Sequence, residues 1–328
     1  MTRLTVVQRV RSQSMIIENE QDVTKAVLAA YARTKNPRLR EILTALIRHL
    51  HEFAREVRLT EQEFHTAMAY LVAIGQNSNE NHNEAVLMAG SLGLSPLICL
   101  LNNGDKGQTE TDANTLGPFW RMHSPATPNG GTIVRSSTPG PALFVDATFK
   151  DTSGRPVAGA EVDIWQSSPE GFYENQDPSQ ADMNLRGKFT TDKDGRISFR
   201  SVKPAGYPVP IAGPVGDLLR AAGRHNMRPS HLHFLVHKPG FKTLISQLYD
   251  PEDPNLESDA QFGVTRHLIG KYVRHGADQP TPSGETGAPW FTLTHDFVME
   301  PGAASLPKPP IRGKASGERP QIPHLEAV

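Results

Sequence analysis

Cysteine is almost absent: Cys99 is the only one in 328 residues. No intrachain disulfide can form, and a reducing compartment such as the cytoplasm suits the chain. A surplus of either charge is missing too. The 34 Lys and Arg residues face 35 Asp and Glu, for a net charge of −1. That balance offers no general electrostatic basis for binding nucleic acid or an anionic membrane. No apolar run approaches the roughly 18 to 20 residues of a membrane span. The opening MTRLTVVQRVRSQS lacks the continuous apolar stretch of a signal peptide. These scarcities predict a soluble cytoplasmic protein with no membrane span. With 37% hydrophobic and 21% charged residues, the composition is globular rather than disordered.

Proline and glycine are scarce in one region only. Residues 38–92 contain no proline, and Gly75 is the only glycine there before Gly90. Residues 1–105 accordingly read as helical. RLREILTALIRHLHEFAREV spaces Leu39, Ile42, Leu43, Leu46, Ile47, Leu50 and Phe53 by three and four, an apolar helical stripe. Pro37 suits its first turn, and Thr60 with Glu63 forms the pattern of a capping box. No cluster here could do chemistry, so packing and association are its expected roles.

Residues 106–300 read as short strands between turns. ALFVDATFK and VAGAEVDIWQ flank DTSGRP, while KFTTD and RISFRSVK flank DKDG, which predicts a hairpin. SHLHFLVHK, KTLISQLYD and FTLTHDFVM follow. The spacing predicts an antiparallel β-sandwich, making the chain α+β. Residues 274–289 read as a loop. Residues 301–328, with LPKPP and SGERPQIP, read as an extended or disordered tail.

The densest chemistry is RHNMRPSHLHFLVHKPGF, residues 224–241. Strand alternation puts His231, His233, Leu235 and His237 on one face and Leu232, Phe234 and Val236 on the other, as core. Histidines two apart can share a metal. His237, about 13 Å from His233 at ~3.3 Å per residue, is too far to join them. HxH alone leaves a metal site and ordinary strand histidines both open. Zinc would want further nitrogen or sulfur ligands. An Fe(II) facial triad would want a carboxylate, and none follows until Asp250. Tyrosinate remains as a hard oxygen donor, suited to Fe(III). Of six tyrosines, Tyr173 and Tyr207 lie in the Gly/Pro-rich loops SPEGFYENQDP and KPAGYPVP.

Taken together and in order, TLGPFW, DIWQSSPEGFYENQDP, GKFTTDKDGRISFRSVKPAGYPVP, GRHNMRPSHLHF, LISQLYDPEDP and HDFVMEPG resemble the intradiol, Fe(III)-dependent catechol ring-cleaving dioxygenases. The resemblance implies one non-haem Fe(III) per subunit, held by Tyr173, Tyr207, His231 and His233. In the family the tyrosine at Tyr207 is axial and leaves the metal when substrate binds. Arg228 matches the active-site arginine, and Gln247 matches a glutamine beside the metal. Leu116, Gly117, Pro118 and Phe119 match the loop lining the pocket. The helical part matches the family's dimerisation domain. A homodimer is therefore implied, in which a lipid can occupy a tunnel between paired helical domains.

That chemistry accounts for the residue choice. A catechol gives up two protons to chelate iron, and Tyr207 is a natural acceptor. Arg228 can stabilise charge developing on ring and oxygen. Dioxygen supplies both atoms, and a cyclic anhydride opens to a muconate-type diacid.

GYPVP resembles the branch that cleaves hydroxyquinol (1,2,4-trihydroxybenzene) to 3-hydroxymuconate or its tautomer maleylacetate, with Val209 and Pro210 lining the pocket. Leu87 and Gly90 fall on the helix that roofs it. Two positions depart from that branch. Gly90 stands where an acid is frequent and would enlarge the pocket. Gln261 stands where a small apolar residue is usual and would add a hydrogen-bonding group. Hydroxyquinol is the expected substrate, with catechol or a substituted catechol as the alternative. A non-catalytic β-sandwich binding module and a zinc hydrolase are the alternatives of other classes. Arg224, His225 and His237 are expected to stand outside the chemistry.

Overall fold

The computed structural model describes residues 16–79, 82–103, 110–311, 313–314 and 317–327. The chain divides into two compact units, Met1–Tyr70 and Leu71–Val328. The first holds α1 (Glu20–Tyr31) and α2 (Pro37–Glu56), and the division falls within α3 (Glu61–Gln76). Pro37 opens α2 behind Asn36, whose side chain accepts from the Leu39 amide at 3.0 Å. The capping box also forms: Glu63 Oε2 accepts from the Thr60 amide at 2.8 Å, and Thr60 Oγ1 from the Glu63 amide at 3.3 Å. In α2, Leu39, Ile42, Leu46, Leu50 and Phe53 form the expected stripe, and it faces outward, each residue about half exposed.

The sequence places the domain boundary near residue 105, but α4 (Glu84–Ser91) and α5 (Leu94–Asn102) group with the β unit. The reason is local. The carboxylate of Glu84, 1% exposed, accepts from the Val215 amide at 2.8 Å at the start of α6 (Pro214–Ala221). That helix start presents unpaired N–H groups and favours an anion. α6 itself is not legible in the sequence, because Pro214 and Gly216 mask an eight-residue helix. Among the described residues, no single helix is long and apolar enough to cross a membrane.

Two sheets form the β unit. One has five strands: β1 (Gly131–Thr132), β5 (Arg196–Val202), β2 (Ala142–Asp151), β11 (Trp290–Met299) and β10 (Lys271–His275), in that spatial order. The other has four: β4 (Arg186–Thr190), β3 (Glu161–Gln166), β8 (His231–His237) and β9 (Leu244–Tyr249). A short ribbon pairs β6 (Tyr207–Pro208) with β7 (Met227–Arg228), and a 3₁₀ turn spans Arg266–Leu268. The four-stranded sheet is wholly antiparallel, as expected. The five-stranded sheet is mixed, because β2 runs parallel to β11, and β1 to β5.

DKDG is a tight turn but not a hairpin. Asp192 Oδ1 accepts from the amides of Asp194 (2.9 Å) and Arg196 (2.8 Å), and Gly195 takes φ +71°. Yet β4 and β5 on either side belong to different sheets. The turn chemistry is local, whereas sheet choice is set by the core between the layers. There Val145, Ala147 and Phe149 of β2 meet Val162 and Ile164 of β3, Leu232, Phe234 and Val236 of β8, and Phe297 of β11. Phe297 stacks on Phe149 at 4.9 Å and tilts against Phe234 at 4.7 Å. Each such buried side chain contributes about 1.5–3 kcal/mol. Because β8 turns Leu232, Phe234 and Val236 inward, its histidines face out of the sandwich.

On β11, burial pushes His295 down from 6.5 to about 4. The unfolded chain therefore binds a proton that the folded chain refuses. Stability should fall as pH drops from about 6.5 to about 4, and His295→Gln should flatten that part of the profile in urea titrations.

Candidate active site and metal centre

Strand register assembles the centre of the site. On the outer face of the four-stranded sheet, Trp165 of β3 stands opposite His233 of β8, and His233 opposite Gln247 of β9. His231 stands opposite Tyr249. Cross-strand partners share a face, so these five side chains meet there. Trp165 stacks on the His233 ring at 4.5 Å and 8°. The Nε2 atoms of His231 and His233 lie 3.1 Å apart, and both residues are 1% exposed. The Nδ1–H of His231 donates to the Pro229 carbonyl at 2.7 Å, which leaves Nε2 with its lone pair. Burial, helped by the positive charge of Arg228, pushes His231 down to about 3; burial and the neighbouring His231 hold His233 well below its usual value. Both imidazoles are neutral, the form a metal binds.

The tyrosines arrive on two loops. Tyr173, fully buried, lies between β3 and β4 with its hydroxyl 3.0 Å from His233 Nε2. Tyr207 is on β6, its ring 5.3 Å from that of Tyr173 and edge-on. Gly171 (φ +81°) lets these loops touch, since a Cβ there would stand 3.1 Å from the Gly206 carbonyl and 3.5 Å from Tyr207 Cβ. Burial raises the Tyr173 hydroxyl well above 10, and proximity to Tyr207 raises it further. A bound multivalent cation reverses that preference by attracting the phenolate. Among the described residues, no three His, Cys, Asp or Glu side chains stand in a metal-holding group. The oxygen beside the two imidazoles is the Tyr173 hydroxyl, 3.0 Å from His233 Nε2, with the Tyr207 ring next to it. Two neutral imidazoles with two phenol oxygens suit a hard ferric ion.

Arg228, 3% exposed, lies opposite Tyr207 across the β6–β7 ribbon. Its Nε and Nη2 each reach a different oxygen of Asp259 at 3.1 Å. Nη2 also donates to Tyr249 Oη (2.9 Å) and Gln247 Oε1 (3.2 Å). Burial alone would raise the Asp259 carboxyl, but the charge and hydrogen bonds of Arg228 offset it and hold the group below the carboxylate range. Asp259 Oδ1 accepts from the Gln261 amide and Oδ2 from that of Gly263. Tyr249 donates to Gln247 Oε1 at 2.5 Å, and Gln247 Nε2 to the Thr115 carbonyl at 2.8 Å. Gln247 thus ties β9 to the loop that carries Leu116 and Gly117.

Sequence reasoning passed over Asp259 and Tyr249. Tyr249 had a usable signal, since it lies two residues from Gln247 and so on the same strand face. Asp259 had none, standing thirty-one positions from Arg228 in a loop. A second buried charge group also went unseen. Arg186, 1% exposed, donates from Nε to Glu174 Oε1 at 2.7 Å, and Arg121 donates to the same oxygen at 2.7 Å. Glu174 follows Tyr173, so this pair of cations fixes the tyrosine's loop.

The pocket residues divide into groups. Gly117 (φ +70°) sits where a Cβ would approach His233 Cε1 to 3.2 Å. Phe119 packs on Tyr173 at 4.4 Å, and Leu116 joins the same apolar cluster. Pro118 is exposed and Pro210 half-buried. Leu87 and Val209 meet in a separate cluster with Ile211 and Leu219. Gly90 does not enlarge a pocket as the sequence suggests. A Cβ there would lie 1.8 Å from Gln261 Oε1, so the Gln261 carboxamide already fills that space, with Nε2 donating to Ser91 Oγ at 2.9 Å. Arg224 donates to the carbonyls of Ser91 (2.7 Å) and Ala260 (3.0 Å), a supporting role. His225 accepts from the Met227 amide, and His237 pairs with Thr243.

Comparison with known proteins places the chain in a family. A family model described as "Dioxygenase" matches residues 116–301, and one described as "Catechol dioxygenase N terminus" matches residues 36–110. The chain is similar to a hydroxyquinol 1,2-dioxygenase of Rhizobium sp. (strain MTP-10005), with 40% identity over 282 residues, covering 85% of this chain and 95% of that protein. A 6-chlorohydroxyquinol 1,2-dioxygenase of Cupriavidus pinatubonensis is 39% identical, over 86% of this chain and 98% of that one. Among solved structures, the hydroxyquinol 1,2-dioxygenase of Pseudomonas putida DLL-E4 superposes with a TM-score of 0.79 at 36% identity, covering 86% of this chain and 99% of that chain.

Replacing Asp259 tests the buried ion pair. Asp259→Asn leaves the guanidinium of Arg228 without its counter-charge, and we expect a loss of about 3–5 kcal/mol in urea unfolding. A loss below about 1 kcal/mol would show that Gln247 and Tyr249 suffice to hold Arg228.

Proposed function

Because this chain belongs to the intradiol ring-cleaving dioxygenases, we propose that it opens hydroxyquinol between its adjacent hydroxylated carbons. Both atoms of O2 enter the product, 3-hydroxymuconate or its tautomer maleylacetate. The observation that carries the reading is the convergence of His231 Nε2, His233 Nε2 and the Tyr173 hydroxyl within 3.0–3.1 Å steps, with Tyr207 beside them. Tyr173, Tyr207, His231 and His233 would hold one non-haem Fe(III) per subunit. Bound there, ferric iron supplies Lewis acidity toward the two adjacent hydroxyls and draws electron density from the ring, which opens it to dioxygen.

The chain's own residues do the rest. Tyr207 Oη takes one hydroxyl proton from the substrate. Arg228, protonated and held by Asp259, stabilises negative charge developing on ring and oxygen. Gln247 keeps the guanidinium and Tyr249 in place. Phe119, Leu116, Gly117 and Pro118 form one side of the substrate site. Leu87, Gly90, Val209, Pro210 and Gln261 form the other and keep water from the ring. The GYPVP segment and the similarity to a hydroxyquinol and a 6-chlorohydroxyquinol 1,2-dioxygenase support hydroxyquinol over catechol.

The outward apolar stripe of α2 supports a homodimer built on the helical part, a surface that would also take the lipid known from the family. The single cysteine supports a cytoplasmic, reducing setting.

Iron analysis, visible spectroscopy and oxygen uptake test the activity. The iron-loaded protein should show a tyrosinate-to-ferric charge-transfer band, which Tyr173→Phe should shift or remove. Hydroxyquinol should be turned over faster than catechol and its chlorinated or methylated derivatives. Fast turnover of catechol with none of hydroxyquinol would overturn the substrate. A colourless, iron-free protein without oxygen uptake would favour a binding module. Sedimentation should give a dimer that Leu46→Lys with Leu50→Lys converts to monomer; a monomeric parent chain would refute the interface.

A further inference from the structure

The match to the dioxygenase model ends at residue 301, yet the chain continues to 328. Its proline- and glycine-rich composition predicts a loose end. The described residues of that segment are instead anchored on the β unit at separate points. Ile311 is buried. Lys314 donates to the Gln180 carbonyl. Arg319 pairs with Glu170 at 2.6 Å and with the buried Asp177 at 2.5 Å, its guanidinium 4.8 Å from the centre of the Phe172 ring. Farther on, Pro323 and Leu325 bracket Asn226, a fully buried side chain. Asn226 Nδ2 donates to the Pro323 carbonyl (3.1 Å) and to the Val209 carbonyl (2.8 Å), while Oδ1 accepts from the Leu325 amide (2.9 Å). A buried carboxamide left without partners is destabilising, because it gives up its hydrogen bonds to water. Two of the three bonds that satisfy Asn226 come from the tail, which makes the docking a built feature of the fold.

These anchors fall beside the two tyrosines. Phe172 precedes Tyr173, and Val209 lies two residues beyond Tyr207. The Leu325 side chain packs against the cluster of Val209, Ile211 and Leu219 that Leu87 also joins. We propose that Arg319–Leu325 is a specificity-determining strap: Leu325 packs on the Val209 cluster, which Leu87 also joins, and so fixes the width of the substrate site. This inference rests on the reading of Leu87 and Val209 as one wall of that site. Leu325 is a positioning residue, acting through Val209 and Leu87 rather than by touching the ring. With the strap docked, the wall resists outward movement and excludes bulky ring substituents. With it released, the wall yields and larger catechols fit.

The test uses the full-length, iron-loaded protein with Leu325→Asp and, as a milder change at the other anchor, Arg319→Ala. Hydrogen exchange of the peptide spanning residues 320–328 reads docking. Oxygen uptake with hydroxyquinol, catechol and 4-alkylcatechols of increasing size reads discrimination, and anaerobic binding of the same panel reads it independently of turnover. We expect protection in the parent chain and its loss in both variants. The preference for the small over the largest catechol should fall about tenfold, through KM of the bulky compound with kcat little changed. Three results would each overturn the proposal: an unprotected parent tail, a tail still protected in Leu325→Asp, or released tails with unchanged discrimination. Failure of the hydroxyquinol assignment would show separately, in the ranking of substrates by the parent chain.

Discussion

The site depends on a guanidinium sealed inside the protein. Arg228 is buried among Asp259, Gln247 and Tyr249, and none of these contacts is optional once water is excluded. Asp259 balances its charge. The carbonyl oxygen of Gln247 and the phenol of Tyr249 accept further hydrogen bonds from Nη2. The backbone of Arg228 meanwhile pairs with that of Tyr207. A loop, a strand and a two-residue ribbon are thereby referred to one cation. Displacing any of them exposes a charge in a low-dielectric interior, so the pocket is held by a penalty as much as by attraction.

β8 shows how one strand can serve two purposes. Its inward residues Leu232, Phe234 and Val236 belong to the sandwich core, whose packing fixes the strand to within a side chain's width. Its outward residues inherit that precision. His231 and His233 then need only their cross-strand neighbours, Tyr249, Gln247 and Trp165, to be oriented. The tyrosines come from outside this sheet, and the ion pairs of Arg186 and Arg121 with Glu174 hold the loop of Tyr173 in place.

Periodicity made much of this legible. Alternation in SHLHFLVH separates the core residues Leu232, Phe234 and Val236 from the outward-facing His231 and His233, and helical spacing with Asn36, Pro37, Thr60 and Glu63 locates α2 and the start of α3. The joining of distant loops to HxH came from matching motifs, because nothing local in Tyr173 or Tyr207 reports where its loop folds. The failures share that cause. DKDG is a sound turn whose flanking strands enter different sheets, and Asp259 finds Arg228 through tertiary packing alone. The exposed stripe of α2 is the converse case: its pattern is correct, but amphipathicity cannot say whether the apolar face meets its own chain or another.

The overlap between Gly90 and Gln261 makes one volume answer to two positions. The Gln261 carboxamide occupies the space a side chain at 90 would need, and it is tethered there through Nε2 to Ser91 Oγ at 2.9 Å. Because the colliding atom is the end of a flexible side chain, a residue larger than glycine at 90 is accommodated when that end swings aside and gives up its tether to Ser91. The shape of this part of the unit is therefore set by a rotamer rather than by the backbone.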